Sequence, residues 1–259
     1  MSQVSIARLR EFGIVPNRAL GQNFLIDDNV LEVAGRLLAP GTEDVALEVG
    51  PGLGLLTLWL AKRAKLVHAI EVDRRLEPAL AQTLRGVANV RLTFADAMDV
   101  DFAALDPRPT GLWANLPYAV ATPVIMEALP VCERFCVMVQ REIADRLFAQ
   151  PSTKAYGAVS VLVQVACRRV GMRPVSRRVF SPVPRVDSAL VAFERRQDAP
   201  VGPGWERLSQ LVHGAFAHRR KTLANSLELA GLPAPPPDLA GVRAEQLPPE
   251  RFLELVSCS

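Results

Sequence analysis

Short apolar stretches alternate with longer helical ones through the first 150 residues of this 259-residue chain, and this alternation constrains the fold most. Residues 45–49, 66–72, 90–94, 111–114 and 135–139 have the length and composition of strands. Residues 53–63, 75–84, 123–129 and 142–148 read as the helices between them. Such an order requires crossover connections. Right-handed crossovers give a parallel sheet covered on both faces, with the strand C-terminal ends along one edge. Ligands bind at that edge. The expected fold class is therefore α/β, with a Rossmann-like sheet.

The remainder reads differently. Residues 156–167 suggest another helix, and residues 173–179 and 188–193 a closing pair of strands around Ser181-Pro182-Val183-Pro184. The segment 197–204, QDAPVGPG, has linker composition. Helices are expected over 205–217, 221–229 and 249–256, with a proline-rich break at 233–237. This predicts an α/β domain over residues 1–197 and a small helical domain over 198–259.

Composition narrows the function classes. Hydrophobic residues make up 49%, enough for a full core, yet no run is long and charge-free enough to span a bilayer. The first residues lack the apolar centre of a secretion signal, so the expectation is a cytoplasmic chain away from membranes. Cys132 and Cys136 are spaced C-x-x-x-C, but His68, His213 and His218 lie far from them in sequence. Together with Cys167 and Cys258, they read as reduced structural cysteines, with no metal expected. The net charge of +3 is unevenly spread. Residues 168–221 hold twelve Lys/Arg against four Asp/Glu, a net +8, which leaves −5 for the rest. A solvated basic face explains this as readily as a surface for a polyanion.

The first strand candidate runs into Gly50-Pro51-Gly52-Leu53-Gly54. Glycines there let the backbone approach a ligand and adopt positive φ. A dinucleotide, an adenosyl cofactor or a bare tight turn all fit such a loop. Two residues favour an adenosyl group without a pyrophosphate. Pro51 lacks the N–H a phosphate cradle would use, and Thr57 stands where a dinucleotide fingerprint continues with Gly or Ala. Glu71, at the end of the second strand candidate and 21 positions after Gly50, suits the two ribose hydroxyls. Asp73 is its neighbour and competitor. Asp96 follows the third strand, where a carboxylate can accept from an adenine amino group or simply cap a turn.

After the fourth strand comes Asn115-Leu116-Pro117-Tyr118. The N6 nitrogen of adenine is a poor nucleophile because its lone pair is delocalised into the ring. Two acceptors on its hydrogens favour a pyramidal nitrogen aimed at an electrophilic methyl. The Asn115 side-chain oxygen and the Leu116 carbonyl suit that role. Pro117 stiffens the turn, and Tyr118 offers a ring on which an extruded base stacks. A polar turn carrying an aromatic core residue is the plain structural alternative.

These motifs resemble the small-subunit ribosomal RNA adenine N6,N6-dimethyltransferase family. The resemblance runs from Leu20 to Leu227. It adds Leu20-Gly21-Gln22-Asn23-Phe24-Leu25, Asp96-Ala97, the stretch from Phe180 to Ser188 (FSPVPRVDS) and the stretch from Phe216 to Leu223 (FAHRRKTL). It implies a class I methyltransferase sheet with a small C-terminal helical domain, and S-adenosylmethionine as cofactor. By resemblance, Asn23 and Leu25 close over the cofactor, and Gly50, Gly52, Glu71, Asp96, Ala97 and Asn115 line its pocket. Phe180 faces the target adenine opposite Tyr118. Apart from the resemblance, the basic charge of residues 168–221, with Arg219, Arg220 and Lys221 at its end, leads to the expectation that these three contact RNA phosphates. The implied activity is dimethylation of two adjacent adenosines in a hairpin near the 3′ end of small-subunit ribosomal RNA. The implied partner is an immature small subunit, with the enzyme acting as a monomer.

The sequence departs from the family pattern at Ala119, where Asn is usual, and at Ala95, where Gly is common. Few basic residues precede Leu20. Methylation of large-subunit ribosomal RNA and a non-catalytic RNA-binding assembly factor are the competing readings. A nicotinamide-dependent oxidoreductase is disfavoured by Pro51, Thr57 and the 115–118 loop.

Overall fold

The computed structural model describes residues 2–17 and 20–257, which form two compact units. The first comprises residues 1–141 and 169–194, the second 142–168 and 195–259. Cys258 lies outside the described residues.

In the first unit the order is α1 (Ser2–Glu11), β1 (Phe24–Leu25), α2 (Asn29–Leu38), β2 (Val45–Val49), α3 (Leu55–Ala61), β3 (Leu66–Glu71), α4 (Glu77–Thr83), β4 (Val90–Phe94), β5 (Gly111–Asn115), α5 (Ala121–Ala128), β6 (Arg134–Gln140), β7 (Cys167–Val175), β8 (Phe180–Ser181) and β9 (Ser188–Arg195). Seven strands pair in the order β4-β3-β2-β5-β6-β9-β7. Strands β2 to β6 are mutually parallel along the sheet, and β9 returns antiparallel to β6 with Val137 opposite Val191. All five residues of β2 are buried, as expected for a central strand covered on both faces. The chain leaves β2 toward β3 on one side and later adds β5 on the other. The C-terminal end of β2 therefore sits at the topological switch point, where a crevice opens.

Helix α2 has no counterpart in the sequence reading. It buries Val30, Leu31, Ala34 and Leu38, and its Leu38 carbonyl accepts from the buried Trp113 indole N–H at 2.8 Å. Two further expectations shift. The strand expected at 173–179 starts at Cys167 and ends at Val175. Arg177–Val179 is instead a 3-10 turn, capped by the Ser176 hydroxyl accepting from the Arg178 N–H. β7 is the last strand of the sheet, an edge position that tolerates Pro174, which has no N–H for a ladder.

The second unit holds α6 (Arg141–Leu147, from Glu142 onward), α7 (Ala158–Ala166), α8 (Trp205–Ala217), α9 (Leu223–Leu229) and α10 (Pro249–Ser257). The compact division thus departs from the split at residue 197. The cause is α7, which packs against α8 and α10. Ahead of it, Tyr156 is fully buried, donates to the Leu247 carbonyl at 2.7 Å and meets the Phe216 ring edge-on at 5.9 Å between centroids. Among the described residues no helix is long and apolar enough to cross a membrane.

Candidate active site

The chain leaves β2 through three glycines with positive φ, at 50, 52 and 54. At two of these positions a side chain would also be crowded. A Cβ on Gly52 would lie 3.2 Å from the Phe24 ring, and one on Gly54 would lie 3.0 Å from the Thr83 methyl. The Gly50 N–H donates to the Ile70 carbonyl of β3 at 2.9 Å, which fixes the loop to its neighbour. Backbone thereby forms one wall of a cavity of about 200 Å³. Residues 20–25, the loop at 115–120 and the ends of β3 and β4 complete it.

Glu71 reaches this cavity and is almost wholly buried. Its Oε2 accepts from the Gly52 N–H at 3.2 Å and its Oε1 from the Asp73 N–H at 2.9 Å. Burial raises its pKa, and those backbone N–H groups act against the rise. Each carboxylate oxygen has two lone pairs, so both retain capacity for a hydroxyl donor. Asp73 is not on the cavity wall. It accepts from Arg75 at 2.8 and 2.5 Å and from Gln22 at 2.7 Å, and the Arg75 guanidinium holds its carboxyl down at about 2. The two acids that were competitors in sequence thus have separate tasks. Asp96 lines the cavity and also caps a 3-10 turn, its Oδ1 accepting from the Met98 N–H at 2.9 Å. Ala97 is buried beside it, and Val72, half exposed, supplies an apolar wall that periodicity did not single out.

Sequence reasoning also missed Glu48. It lines the cavity at 1% exposure, and its Oε2 has no hydrogen-bond partner. Burial pushes its pKa up to about 8; the nearby Thr57 hydroxyl pulls the other way, and Glu71 adds a smaller push. The Thr57 contact falls short of a hydrogen bond, since that hydroxyl is itself unpartnered. The signal was present in the sequence, an acid inside an otherwise apolar central strand, VALEV.

The target loop lies on the same cavity. Asn115 ends β5, and its Nδ2 donates weakly, at 3.4 Å, to the Asn23 carbonyl, which orients Oδ1 as the accepting end of the amide. The Leu116 N–H donates to Met138 at 3.0 Å and the Val120 N–H to Pro117 at 3.1 Å, so the turn is held on both sides of the Leu116 carbonyl. The Tyr118 hydroxyl bonds the buried Ser188 hydroxyl at 2.9 Å. Its pKa is raised by burial, with Ser188 acting against the rise. Asn23 and Leu25 line the cavity, as does Ala119, the departure from the family pattern.

Phe180 requires a correction. It is 2% exposed and belongs to a core cluster with Leu25, Trp113 and Met138, and it does not line the cavity. β8 pairs antiparallel with β1, Leu25 opposite Phe180, and the ring is enclosed in that core. It presents no face to a base. In the second unit, Arg219, Arg220 and Lys221 are exposed at the end of α8. Arg219 is already committed, to Glu245 at 2.7 Å and the Thr153 carbonyl at 3.2 Å. Arg168 of β7 is exposed, as are Arg169 and Arg173 of the same strand in the first unit and Arg177 and Arg178 after it. Cys132, Cys136 and Cys167 are buried and unbridged.

The orphaned Glu48 oxygen tests what the cavity takes. A buried carboxylate without a partner calls for a cationic donor. S-adenosylmethionine brings an ammonium and a sulfonium, together with ribose hydroxyls for Glu71 and an adenine for the apolar wall by Asp96. A cavity of this kind at the switch point of this sheet defines a class I methyltransferase, an enzyme that uses S-adenosylmethionine. The sequence matches the ribosomal RNA adenine dimethylase family model over residues 15–234. The chain belongs to that family.

Among its relatives, "Ribosomal RNA small subunit methyltransferase A" of Rubrobacter xylanophilus is 45% identical, over 93% of this chain and 94% of the relative. The protein of that name from Pelotomaculum thermopropionicum is 42% identical, over 97% and 90%. Among solved structures, a dimethyladenosine transferase from Plasmodium falciparum shares the fold with a TM-score of 0.71, at 24% identity over 88% of this chain and 94% of that one. The 23S rRNA methyltransferase ErmE follows at 0.62 and 27% identity, over 91% and 98%.

Proposed function

We propose that this chain methylates N6 of two adjacent adenosines in a hairpin near the 3′ end of small-subunit ribosomal RNA, giving N6,N6-dimethyladenosine. The observation that carries the chemistry is the 115–118 loop on the wall of the cofactor cavity. Relatives at 42% to 45% identity carry the small-subunit name, which favours that RNA over the large-subunit alternative. Glu71, Asp96 and Asn115 all line the cavity, which favours an enzyme over a non-catalytic assembly factor. The expected substrate form is an immature small subunit in the cytoplasm, met by a monomer.

In this reading Asn23, Leu25, Gly50, Gly52, Glu71, Asp96, Ala97 and Asn115 hold S-adenosylmethionine, with Glu48 toward its cationic end. The bound cofactor supplies an electrophilic methyl on a sulfonium. Asn115 Oδ1 and the Leu116 carbonyl accept from the N6 hydrogens of the adenine and set its lone pair toward that methyl. Pro117 keeps the two acceptors at fixed spacing. Tyr118, braced by Ser188, stacks on the extruded base. Such alignment supplies most of the rate; correct placement is worth roughly 7–11 kcal/mol. The exposed arginines of β7 and the Arg220-Lys221 pair contribute phosphate contacts.

Mass spectrometry of ribosomal RNA tests this, after immature small subunits are incubated with the protein and S-adenosylmethionine. Dimethyladenosine at two adjacent small-subunit positions is expected, and Asn115→Ala should remove it. Absence of dimethyladenosine from the small-subunit RNA in that incubation would overturn the proposal.

A further inference from the structure

Residues 21–25 form a strap along the cavity, and the strap is tied at both ends. At one end Phe24 and Leu25 pair with Ser181 and Phe180. At the other, Gln22 is the tie. Its Oε1 accepts from the Asn17 N–H at 2.8 Å, and its Nε2 donates to Asp73 Oδ2 at 2.7 Å. Asp73 is 51 residues away in sequence and 6% exposed. Arg75 grips it with two side-chain bonds, and its own backbone N–H is held by Glu71 Oε1. The carboxylate that ends this chain of bonds is thus rigid and ionised. A hydrogen bond to a buried charge is among the stronger kinds available to a side chain.

We propose that Asp73 and Gln22 are positioning residues for the cofactor. Neither is a catalytic residue. Asp73 acts through Gln22 to hold the strap closed, so that Asn23, Phe24 and Leu25 stay on the cavity wall. The same Asp73 donates its backbone N–H to Glu71, the acid that takes the ribose hydroxyls. One short segment after β3 therefore sets both the floor and the strap of the pocket. The proposal rests on the reading that the cavity takes S-adenosylmethionine.

The test exchanges donor and acceptor across the bond. Gln22→Glu puts two carboxylates face to face. Asp73→Asn removes the charge on the other side. The combined variant restores a donor–acceptor pair, with the Asn amide donating to the new carboxylate, at unchanged net charge. S-adenosylmethionine affinity is measured by calorimetry on all four proteins, alongside hydrogen exchange of residues 20–26 without ligand. Thermal unfolding confirms that each variant is folded. Near pH 8, Gln22→Glu should lose roughly 10- to 100-fold in affinity, the range expected for a hydrogen bond to a charged group. Exchange over 20–26 should quicken. Relative to wild type at each pH, the loss should shrink as the pH falls and the new carboxyl protonates, because a like charge beside it raises its pKa. The combined variant should recover most of the affinity near pH 8. A folded Gln22→Glu protein that binds within about twofold of wild type overturns the proposal, as does a combined variant no better than the worse single one. Failure of the wild type to bind would instead sink the cofactor reading.

Discussion

Glu48 makes the cofactor pocket sensitive to pH, and the size of the effect follows from its burial. Its pKa stands at about 8 in the free protein, so near pH 7 only about one molecule in ten has this carboxylate ionised. A cationic ligand end beside it favours the ionised form. Binding near pH 7 must then expel close to one proton, at about 1.4 kcal/mol per pKa unit, or tenfold in affinity per pH unit. Between about pH 5.5 and 7 the dissociation constant should therefore fall by roughly tenfold per unit. The window stays below the range where an α-amino group on the ligand loses its proton, about 7.7–8.0. Titration calorimetry in buffers of differing ionisation enthalpy reads the released proton directly. Glu48→Gln should flatten the pH dependence and abolish the release. The same shift acts on stability. For an acid whose folded pKa is raised, the unfolded state binds fewer protons, so stability falls as pH rises from about 4.5 to about 8. In Glu48→Gln the part of that slope due to Glu48 should disappear, while Glu71, whose pKa burial also raises, keeps its own. An unchanged affinity slope in Glu48→Gln, or no proton release by wild type, would refute the reasoning.

Other expected outcomes follow from single contacts. Glu71→Ala should weaken S-adenosylmethionine binding by roughly 1.5–3 kcal/mol, the worth of charge-assisted hydrogen bonds, measured by calorimetry. Asn115→Ala should abolish most methyl transfer in single-turnover assays on immature small subunits; a normal rate would end the target-loop argument. Tyr118→Ala should lose roughly 5- to 150-fold in capture of the base, with cofactor affinity nearly intact. Tyr118→Phe keeps the ring but releases Ser188, a loss of about fivefold for a neutral hydrogen bond; damage equal to that of Tyr118→Ala would disprove stacking. Neutralising Arg220 and Lys221 should flatten the salt dependence of RNA binding, each lost phosphate contact reducing the slope by roughly 0.7–0.9. Arg219 is the poorer choice for that experiment, because its loss also breaks the Glu245 pair.

Local pattern made much of this protein legible. Strand β2, the glycine turn after it, Glu71 at the end of β3 and Asn115 at the end of β5 all follow from short-range signals: period, turn chemistry and an acid at a strand end. Once the strands run parallel, their order along the chain brings those ends to one edge, so the core of the site was implied without any long-range contact. What remained depends on residues meeting across long sequence separations. Nothing around Gln22 announces Asp73, and nothing around Tyr118 announces Ser188, 70 residues on. Only the family resemblance set Phe180 opposite the base; its pairing across from Leu25 instead leaves it enclosed in the core. Helix α7 read as part of the sheet domain by its position in the chain, yet its apolar residues pack against α8 and α10. Glu48 shows the division most clearly. Sequence alone put an acid in a buried strand, but only the packing around it decided that one oxygen would be enclosed with no partner, and burial without a partner is what shifts its proton.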